Sequence, residues 1–248
     1  MPVLLAALLV ACLAACSSAP ADAADTRTAD SSGAAANPAA AGDSPCTLFS
    51  DRAPPSTVFE VIERVNELPR PVTLPCFIES LPRPLELNAT DSFLSAQPAA
   101  GRRSPRAFLF ADPLIMSIAF GGSGSRLLEL GEARPDGRSL KAEIEFPVTE
   151  ELPRTVPFER ILFVEGLTSC GVCHSEERPA PDVMFTTAFE SQAYRPQPSE
   201  RVSLESLRVE HERCDSVLEP ERCALLQAVF GNGAVSDRDF PAALATFY

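Results

Sequence analysis

The sequence predicts an α+β fold, in which an N-terminal helix and an antiparallel β-rich region precede a small, helical, disulfide-clamped C-terminal region. Three observations support this class: a helical apolar repeat at residues 57–68, short β-type runs separated by turns at residues 77–164, and two helical repeats beyond residue 203. The 24 prolines are about twice the average share, so we expect many irregular connections.

Residues 1–15 form an uncharged, apolar run that is too short to span a bilayer comfortably. The run ends in Leu13-Ala14-Ala15-Cys16, which resembles the lipobox of bacterial lipoproteins. This resemblance implies a signal peptide cleaved before Cys16 and lipid on the Cys16 thiol, and Ser17 resembles that of lipoproteins sent to the outer membrane. The alternative is an ordinary secretory signal peptide. Both readings predict export, and the first predicts an anchor in the bacterial cell envelope, on the periplasmic face of the outer membrane.

Residues 16–44 are predicted to form a disordered tether. The segment after Cys16 consists mostly of Ala, Ser, Asp, Gly and Pro and contains no large apolar residue. Such a segment cannot bury enough surface to offset its chain entropy. We therefore expect it to separate the anchor from the folded part.

The folded part is predicted to divide into residues 45–165, a helix plus the β-rich region, and residues 166–248, a cysteine–histidine motif plus a helical hairpin. Its length allows one substantial core or two small ones. The formal net charge of −13 makes nucleic acid a poor partner. It also predicts that the chain contacts a membrane through its lipid anchor only.

Residues 57–68 form the first clear element. Thr57 and Glu60 make a capping-box pattern, and Pro69 ends the helix. Apolar residues recur at helical spacing at Val58, Val61, Ile62, Val65 and Leu68. We expect this stripe to face the core.

The β-rich region contains five candidate strands, each a short apolar or alternating run bounded by turn residues. They are Arg106–Phe110, Leu114–Phe120, Arg126–Leu130, Leu140–Phe146 and Phe158–Val164. The glycine-rich stretch at residues 121–125 lacks the G-K-[ST] of a phosphate loop, so we expect a hairpin loop there. Pro135-Asp136-Gly137 predicts a turn.

Two helices are predicted near the C-terminus. Leu204, Leu207 and His211 share one face of the first, within residues 203–214. Pro220 suits the first turn of the second helix, and Gly231 ends it. The two helices would form an αα-hairpin.

Residues 170–174, Cys-Gly-Val-Cys-His, have the C-x-x-C-H spacing of covalent haem attachment. Two intervening residues let the sulfurs of Cys170 and Cys173 reach one edge of the macrocycle, and the adjacent imidazole of His174 takes the iron as proximal ligand. The motif therefore predicts one haem c. Two alternatives stay open from the residues alone: a tight redox disulfide between Cys170 and Cys173, or a contribution to a zinc site.

This stretch resembles the haem-attachment segment of the c-type cytochromes, and the resemblance implies electron transfer to or from a redox partner protein. It is carried by Cys170, Cys173 and His174 alone. Small class I cytochromes have a helix before the motif and a ligand methionine some tens of residues after it. Here the motif follows the predicted strand Phe158–Val164, and no methionine lies beyond Met184. The resemblance therefore implies a divergent haem domain.

The remaining cysteines are predicted to form two disulfides. If Cys16 carries lipid and the motif carries haem, an even number remains for an oxidising compartment. Sequence proximity favours the pairs Cys46–Cys76 and Cys214–Cys223, although three pairings are possible. The second pair would clamp the αα-hairpin.

His211 is the strongest candidate for a distal haem ligand, because it lies on the apolar stripe of its helix, one turn from Cys214. The alternative is a core histidine bonded to a carbonyl or a carboxylate. Met184 is a weaker candidate, for which packing beside the macrocycle is favoured over ligation. Met116 lies in an apolar run and is predicted to be core.

Three functions are consistent with these residues. The first is a lipid-anchored, cytochrome c-like protein that transfers electrons. The second is a haem-free lipoprotein that has a structural or partner-binding role, with disulfide-bonded cysteines. The third is a haem enzyme of peroxidase type, in which His211 would be the distal acid–base group. The sequence contains no H-E-x-x-H, G-x-S-x-G, P-loop or dinucleotide fingerprint that would indicate another enzyme class.

Overall fold

The computed structural model describes residues 45–47, 51–93, 97, 99–164 and 166–246. The predicted signal peptide at residues 1–15, the lipidation site Cys16 and the tether at residues 16–44 lie outside the described residues. Within the described ranges, no helix has both the length and the apolar character needed to cross a membrane.

The described residues contain five α-helices and twelve strands. The helices are α1 (Val58–Glu67), α2 (Leu74–Glu79), α3 (Val156–Glu159), α4 (Leu204–Glu212) and α5 (Pro220–Phe230). The strands are β1 (Leu85–Thr90), β2 (Arg106–Ala111), β3 (Leu114–Ala119), β4 (Leu127–Ala133), β5 (Arg138–Glu145), β6 (Leu162–Val164), β7 (Leu167–Thr168), β8 (Arg178–Pro179), β9 (Phe189–Gln192), β10 (Tyr194–Arg195), β11 (Val235–Asp237) and β12 (Ala245–Thr246).

Eight strands form one large sheet in the order β11-β1-β2-β3-β4-β5-β9-β8. The neighbours pair antiparallel except β1 and β11, which are parallel, so the sheet is mixed. This architecture confirms the predicted α+β class. Strands β8, β9 and β11 follow residue 165, so the regions 45–165 and 166–248 share one sheet and belong to one compact unit.

One face of the sheet forms the core with the helices. Alternate residues of the central strands are buried there, among them Leu109, Met116, Leu130 and Ala142. Met116 is therefore core, as predicted. Strand pairing in register places these side chains on one face, because directly opposed residues of antiparallel neighbours point the same way.

Helix α1 forms as its sequence predicts. The hydroxyl of Thr57 accepts a hydrogen bond from the amide N–H of Glu60 at 3.1 Å, and Val58, Val61, Ile62 and Val65 are buried. The Glu60 carboxylate accepts from the amide N–H of Ser56 at 2.6 Å, which lowers the pKa of Glu60. The cap thus satisfies amide groups that a helix start leaves without partners.

The opposite face of the sheet is polar where the central strands cross. Arg106 of β2, Ser117 of β3, Glu129 of β4 and Lys141 of β5 all lie on it. Arg106 donates to the Ser117 hydroxyl at 2.8 Å and forms an ion pair with Glu129. This polar face and the cysteine–histidine motif line the same cavity.

The predicted strand Phe158–Val164 is wrong in its first half. Residues 156–159 form the single-turn helix α3, and only Leu162–Val164 is extended. Pro157 lies in the first turn of α3, where its fixed φ suits a helix, and Phe158 is fully buried. The apolar run therefore anchors a short helix in the core instead of continuing a strand.

Both predicted disulfides are confirmed. Cys46 bonds to Cys76 with a Cα–Cα distance of 5.2 Å, and Cys214 bonds to Cys223 with a Cα–Cα distance of 5.6 Å. The second disulfide joins α4 to α5, and Gly231 ends α5 as expected. Helix α5 also contacts α2, so the hairpin packs into the same core as the N-terminal helices.

Candidate functional site

The motif forms a tight turn directly after β7. Residues Cys170–Val172 make one turn of 3-10 helix, and the amide N–H groups of Cys173 and His174 donate to the carbonyl of Cys170 at 3.1 and 2.8 Å. This turn brings the two thiols and the imidazole to one place. Cys170, Cys173 and His174 line a single cavity of about 100 Å³.

His174 is held in one tautomer. Its Nδ1 lies 2.8 Å from the backbone carbonyl of Gln192, and a carbonyl can only accept, so Nδ1 carries the hydrogen and Nε2 carries the lone pair. Burial, together with the positive charges of Lys141 and Arg106, lowers the pKa of His174 to about 3. The ring is therefore neutral at neutral pH, which is the form that ligates metals.

Tyr194 packs against this imidazole. The two ring centroids are 5.5 Å apart, and the Tyr194 hydroxyl lies 2.6 Å from the hydroxyl of Ser175. Tyr194 belongs to β10, which pairs with β12 near the C-terminus. The sequence offers no signal for this residue, because the contact depends on pairing between distant segments.

A second cavity, of about 190 Å³, shares several of its lining residues with the first. Cys170, His174 and Tyr194 line it, as do Arg106 and Lys141 from the polar face of the sheet. The motif thus contributes to two small cavities, one of which it shares with the half-buried Arg106 and the buried Lys141. Sequence reasoning did not identify Arg106 or Lys141, because strand pairing alone brings them here.

Glu177 holds the start of the motif. Its carboxylate accepts from the amide N–H of Thr168 at 2.8 Å and from the Thr168 hydroxyl, and that hydroxyl accepts from the amide N–H of Gly171 at 3.1 Å. A Cβ atom at Gly171 would lie 2.6 Å from Oε1 of Glu177. Glycine at this position is therefore what allows the carboxylate to lie against the turn.

We expect Gly171→Ala to lower the free energy of unfolding of the haem-free protein by roughly 1–3 kcal/mol, the usual cost of overpacking. Glu177→Ala removes the obstacle but also the hydrogen bonds to Thr168. Urea unfolding of both single variants and the double variant checks this, and the double variant should lose less than the sum of the single losses. Strict additivity would show that the methyl group and the carboxylate do not collide.

Cys170 is poorly suited to thiol exchange. Burial raises the pKa of the Cys170 thiol to about 11, and the charge of Lys141 only partly opposes this. Reactive cysteines have lowered pKa values, because the thiolate is the nucleophile. Cys170 and Cys173 are not bonded to each other. These properties give no support to the alternative of a redox disulfide.

The zinc alternative lacks ligands. Among the described residues, no group of three or more His, Cys, Asp or Glu side chains is placed to hold a metal ion. A structural zinc site takes four such ligands.

His211 lies elsewhere. It is partly exposed, whereas on α4 only Leu204 and Leu207 are buried, so the predicted burial of His211 is wrong. Its Nε2 is 2.8 Å from Oε1 of Gln227, and it lines a different cavity with Phe230. His211 is in the last turn of α4, where the side chain meets α5 instead of the core. It is not among the described residues that line either cavity at His174.

Met184 is 91 % exposed and is likewise absent from the described lining of both cavities. Its neighbour Phe185 packs against Phe59 and Phe158, with ring centroids 5.6 and 6.4 Å apart. The structure thus brings together Cys170, Cys173 and His174, but it does not bring His211 or Met184 to them.

Comparisons of this chain with protein-family models, with curated proteins and with solved structures found no match.

Proposed function

We propose that this chain is an exported, lipid-anchored protein that binds one covalent haem c and transfers electrons. One observation carries the proposal: both thiols of a C-x-x-C-H motif and its histidine line one cavity, and the histidine is a neutral ring whose lone pair is on Nε2. Haem would supply an iron atom that gains and loses a single electron. The donor set of the chain fits that group in ligand type and in tautomer.

The size of the site requires a local movement. Small-molecule sites usually occupy about 300–1,000 Å³, whereas the two cavities measure about 100 and 190 Å³. Both are lined by Tyr194, Phe108 and Arg106. We therefore expect the Tyr194 ring to move from its contact with His174 when the thiols carry a macrocycle.

Electron transfer is favoured over peroxidase-type catalysis by the placement of His211. A distal acid–base group must lie within hydrogen-bond reach of the bound oxidant. His211 is instead bonded to Gln227 and lines a different cavity.

Export and anchoring are proposed from the first 16 residues of the sequence. The net charge of −13 suits a basic redox partner. Apolar side chains in and beside the motif are exposed: Val172 by 75 %, Phe163 by 70 % and Leu167 by 53 %. These exposed side chains also favour the second candidate function, a haem-free lipoprotein that binds a partner.

Intact mass and absorbance distinguish the two functions. The full chain, purified from a host with cytochrome c maturation, should gain the mass of one haem. Its Soret band should survive denaturation and acid–acetone extraction, because thioether bonds hold the haem. A ferric spectrum without the near-infrared band of bound methionine would show that Met184 is not a ligand. If the protein from that host has the mass of the bare polypeptide, the haem-based function is refuted and the partner-binding function is favoured.

A further inference from the structure

Lys141 is the only lysine among the 21 basic residues of the chain, and it is buried. Only 7 % of its surface is exposed. It lies on β5 and lines the cavity of about 190 Å³ that it shares with Cys170 and His174. A lysine is almost never buried without a partner, because taking an ammonium group out of water is costly.

The other charged residues that line this cavity are ion-paired. Arg106 pairs with Glu129, and both are in the lining. Each of the other three charged lining residues pairs with at least one residue outside the lining, for example Arg134 with Asp182, Arg138 with Glu176, and Asp112 with Arg238.

Lys141 differs from them. Within the described residues it makes neither a hydrogen bond nor an ion pair, so the cavity carries one positive charge without a direct counter-ion. Burial lowers the pKa of Lys141 to about 8, and the nearby charges of Glu129 and Glu177 oppose this. The amine therefore stays mostly protonated at neutral pH.

A second donor lies beside it. Ser139 is two residues away on the same strand, so both side chains are on the same face of the sheet. Ser139 is 5 % exposed, lines the same cavity, and makes no hydrogen bond through its hydroxyl within the described part of the chain. An ammonium group and a hydroxyl on one wall match the two oxygens of a carboxylate.

We propose that Lys141 and Ser139 form a carboxylate-binding subsite in the cavity of about 190 Å³ that Cys170 and His174 also line. The carboxylate has two possible sources: a propionate of the covalently attached haem, or a free small carboxylic acid. The volume of about 190 Å³ admits a molecule of a few heavy atoms together with water. The subsite does not depend on the proposed haem, because Lys141 and Ser139 both belong to strand β5. It is therefore tested first in the haem-free protein.

The experiment uses the full chain in two forms, haem-loaded and haem-free, the latter carrying Cys170→Ser and Cys173→Ser. Acetate is the probe, and its affinity is measured by calorimetry and by the shift in unfolding temperature against chloride at equal ionic strength. Each form is compared with Lys141→Met, which keeps the length of the side chain and removes the charge, and with Lys141→Arg, which keeps the charge.

In the haem-free form we expect acetate to raise the unfolding temperature, and Lys141→Met to weaken acetate binding by roughly tenfold or more, as for a charged hydrogen bond. We expect the Lys141→Met variant to fold. Without acetate, its unfolding temperature should be higher than that of the parent, because the substitution removes a buried charge that has no counter-ion. Lys141→Arg should retain part of the acetate effect, because it retains the charge.

The haem-loaded form identifies the source of the carboxylate. Loss of acetate binding there shows that a haem propionate occupies the subsite, and retained binding shows a site for a free carboxylate. If acetate and chloride act alike on the haem-free protein, or if Lys141→Met responds to acetate as the parent does, the subsite is refuted. A failure to attach haem would refute the proposed function and leave the haem-free result standing.

Discussion

A full-length variant that carries Cys170→Ala and Cys173→Ala is expected to contain no covalently bound haem after expression in a maturation-competent host. The two thiols are the groups that form thioether bonds, and both line the cavity beside His174. Without them, acid–acetone should extract all of the haem absorbance, and intact mass should match the bare polypeptide. The parent protein should retain its Soret band through the same extraction.

The matched control is a variant in which another cysteine pair, Cys214 and Cys223, is replaced. Cys214→Ala with Cys223→Ala removes a disulfide between α4 and α5 but leaves the motif intact. This variant should be less stable by about 2–5 kcal/mol and should still carry one haem. Covalent haem in the Cys170/Cys173 variant would contradict the proposed attachment site. If both variants lack covalent haem, haem incorporation depends on the stability of the fold and the experiment does not assign the attachment to the Cys170 and Cys173 thiols.

Local sequence signals predicted the elements whose causes are local. The cap of α1 depends on Thr57 and Glu60, three residues apart, and the turn before β5 depends on Gly137, which has a φ of +83°. The disulfide between Cys214 and Cys223 spans nine residues. In each case the interacting groups are close in the chain, so that spacing alone indicates the contact.

The missed features depend on contacts between distant segments. The run Phe158–Val164 has the pattern of a strand, but its first two residues belong to helix α3, in which Phe158 is fully buried. Lys141 lies in the candidate strand Leu140–Phe146, where nothing in the local pattern indicates that it is buried in a cavity shared with Cys170 and His174. His211 follows the apolar stripe of α4, yet that stripe leaves the core before the helix ends.

The polar face of the sheet explains how the candidate site is held. Arg106, Ser117 and Glu129 lie on three adjacent strands and are linked by hydrogen bonds across them. Gln97 accepts from the Ser117 hydroxyl at 3.1 Å and so extends this network. We call these hydrogen-bonded residues the floor of the site. A polar network whose members all have hydrogen-bond partners is rigid, so the floor should hold the surroundings of Cys170 and His174 in one arrangement.

The second large effect, a loss of stability, is expected when the Arg106–Glu129 ion pair of this floor is broken. Arg106→Met keeps most of the side-chain volume but leaves Glu129 partly buried beside Ser117 without its cation. Breaking a buried ion pair on one side costs about 3–5 kcal/mol. The Arg106 and Glu129 side chains are 16 % and 20 % exposed, so we expect a loss near the lower end of that range.

Denaturant unfolding of the haem-free protein measures this loss, and the comparison with Glu129→Gln and with the double variant Arg106→Met, Glu129→Gln isolates the ion pair. The double variant should be more stable than Arg106→Met alone, because no uncompensated carboxylate remains in it. If Arg106→Met costs less than about 1 kcal/mol, the value typical of surface pairs, the pair is solvated and the floor of the site is not a buried network.

The acetate affinity of the Lys141 subsite provides a second measurement. If the loss of Arg106 displaces the floor, acetate binding should also be weaker in Arg106→Met than in the parent.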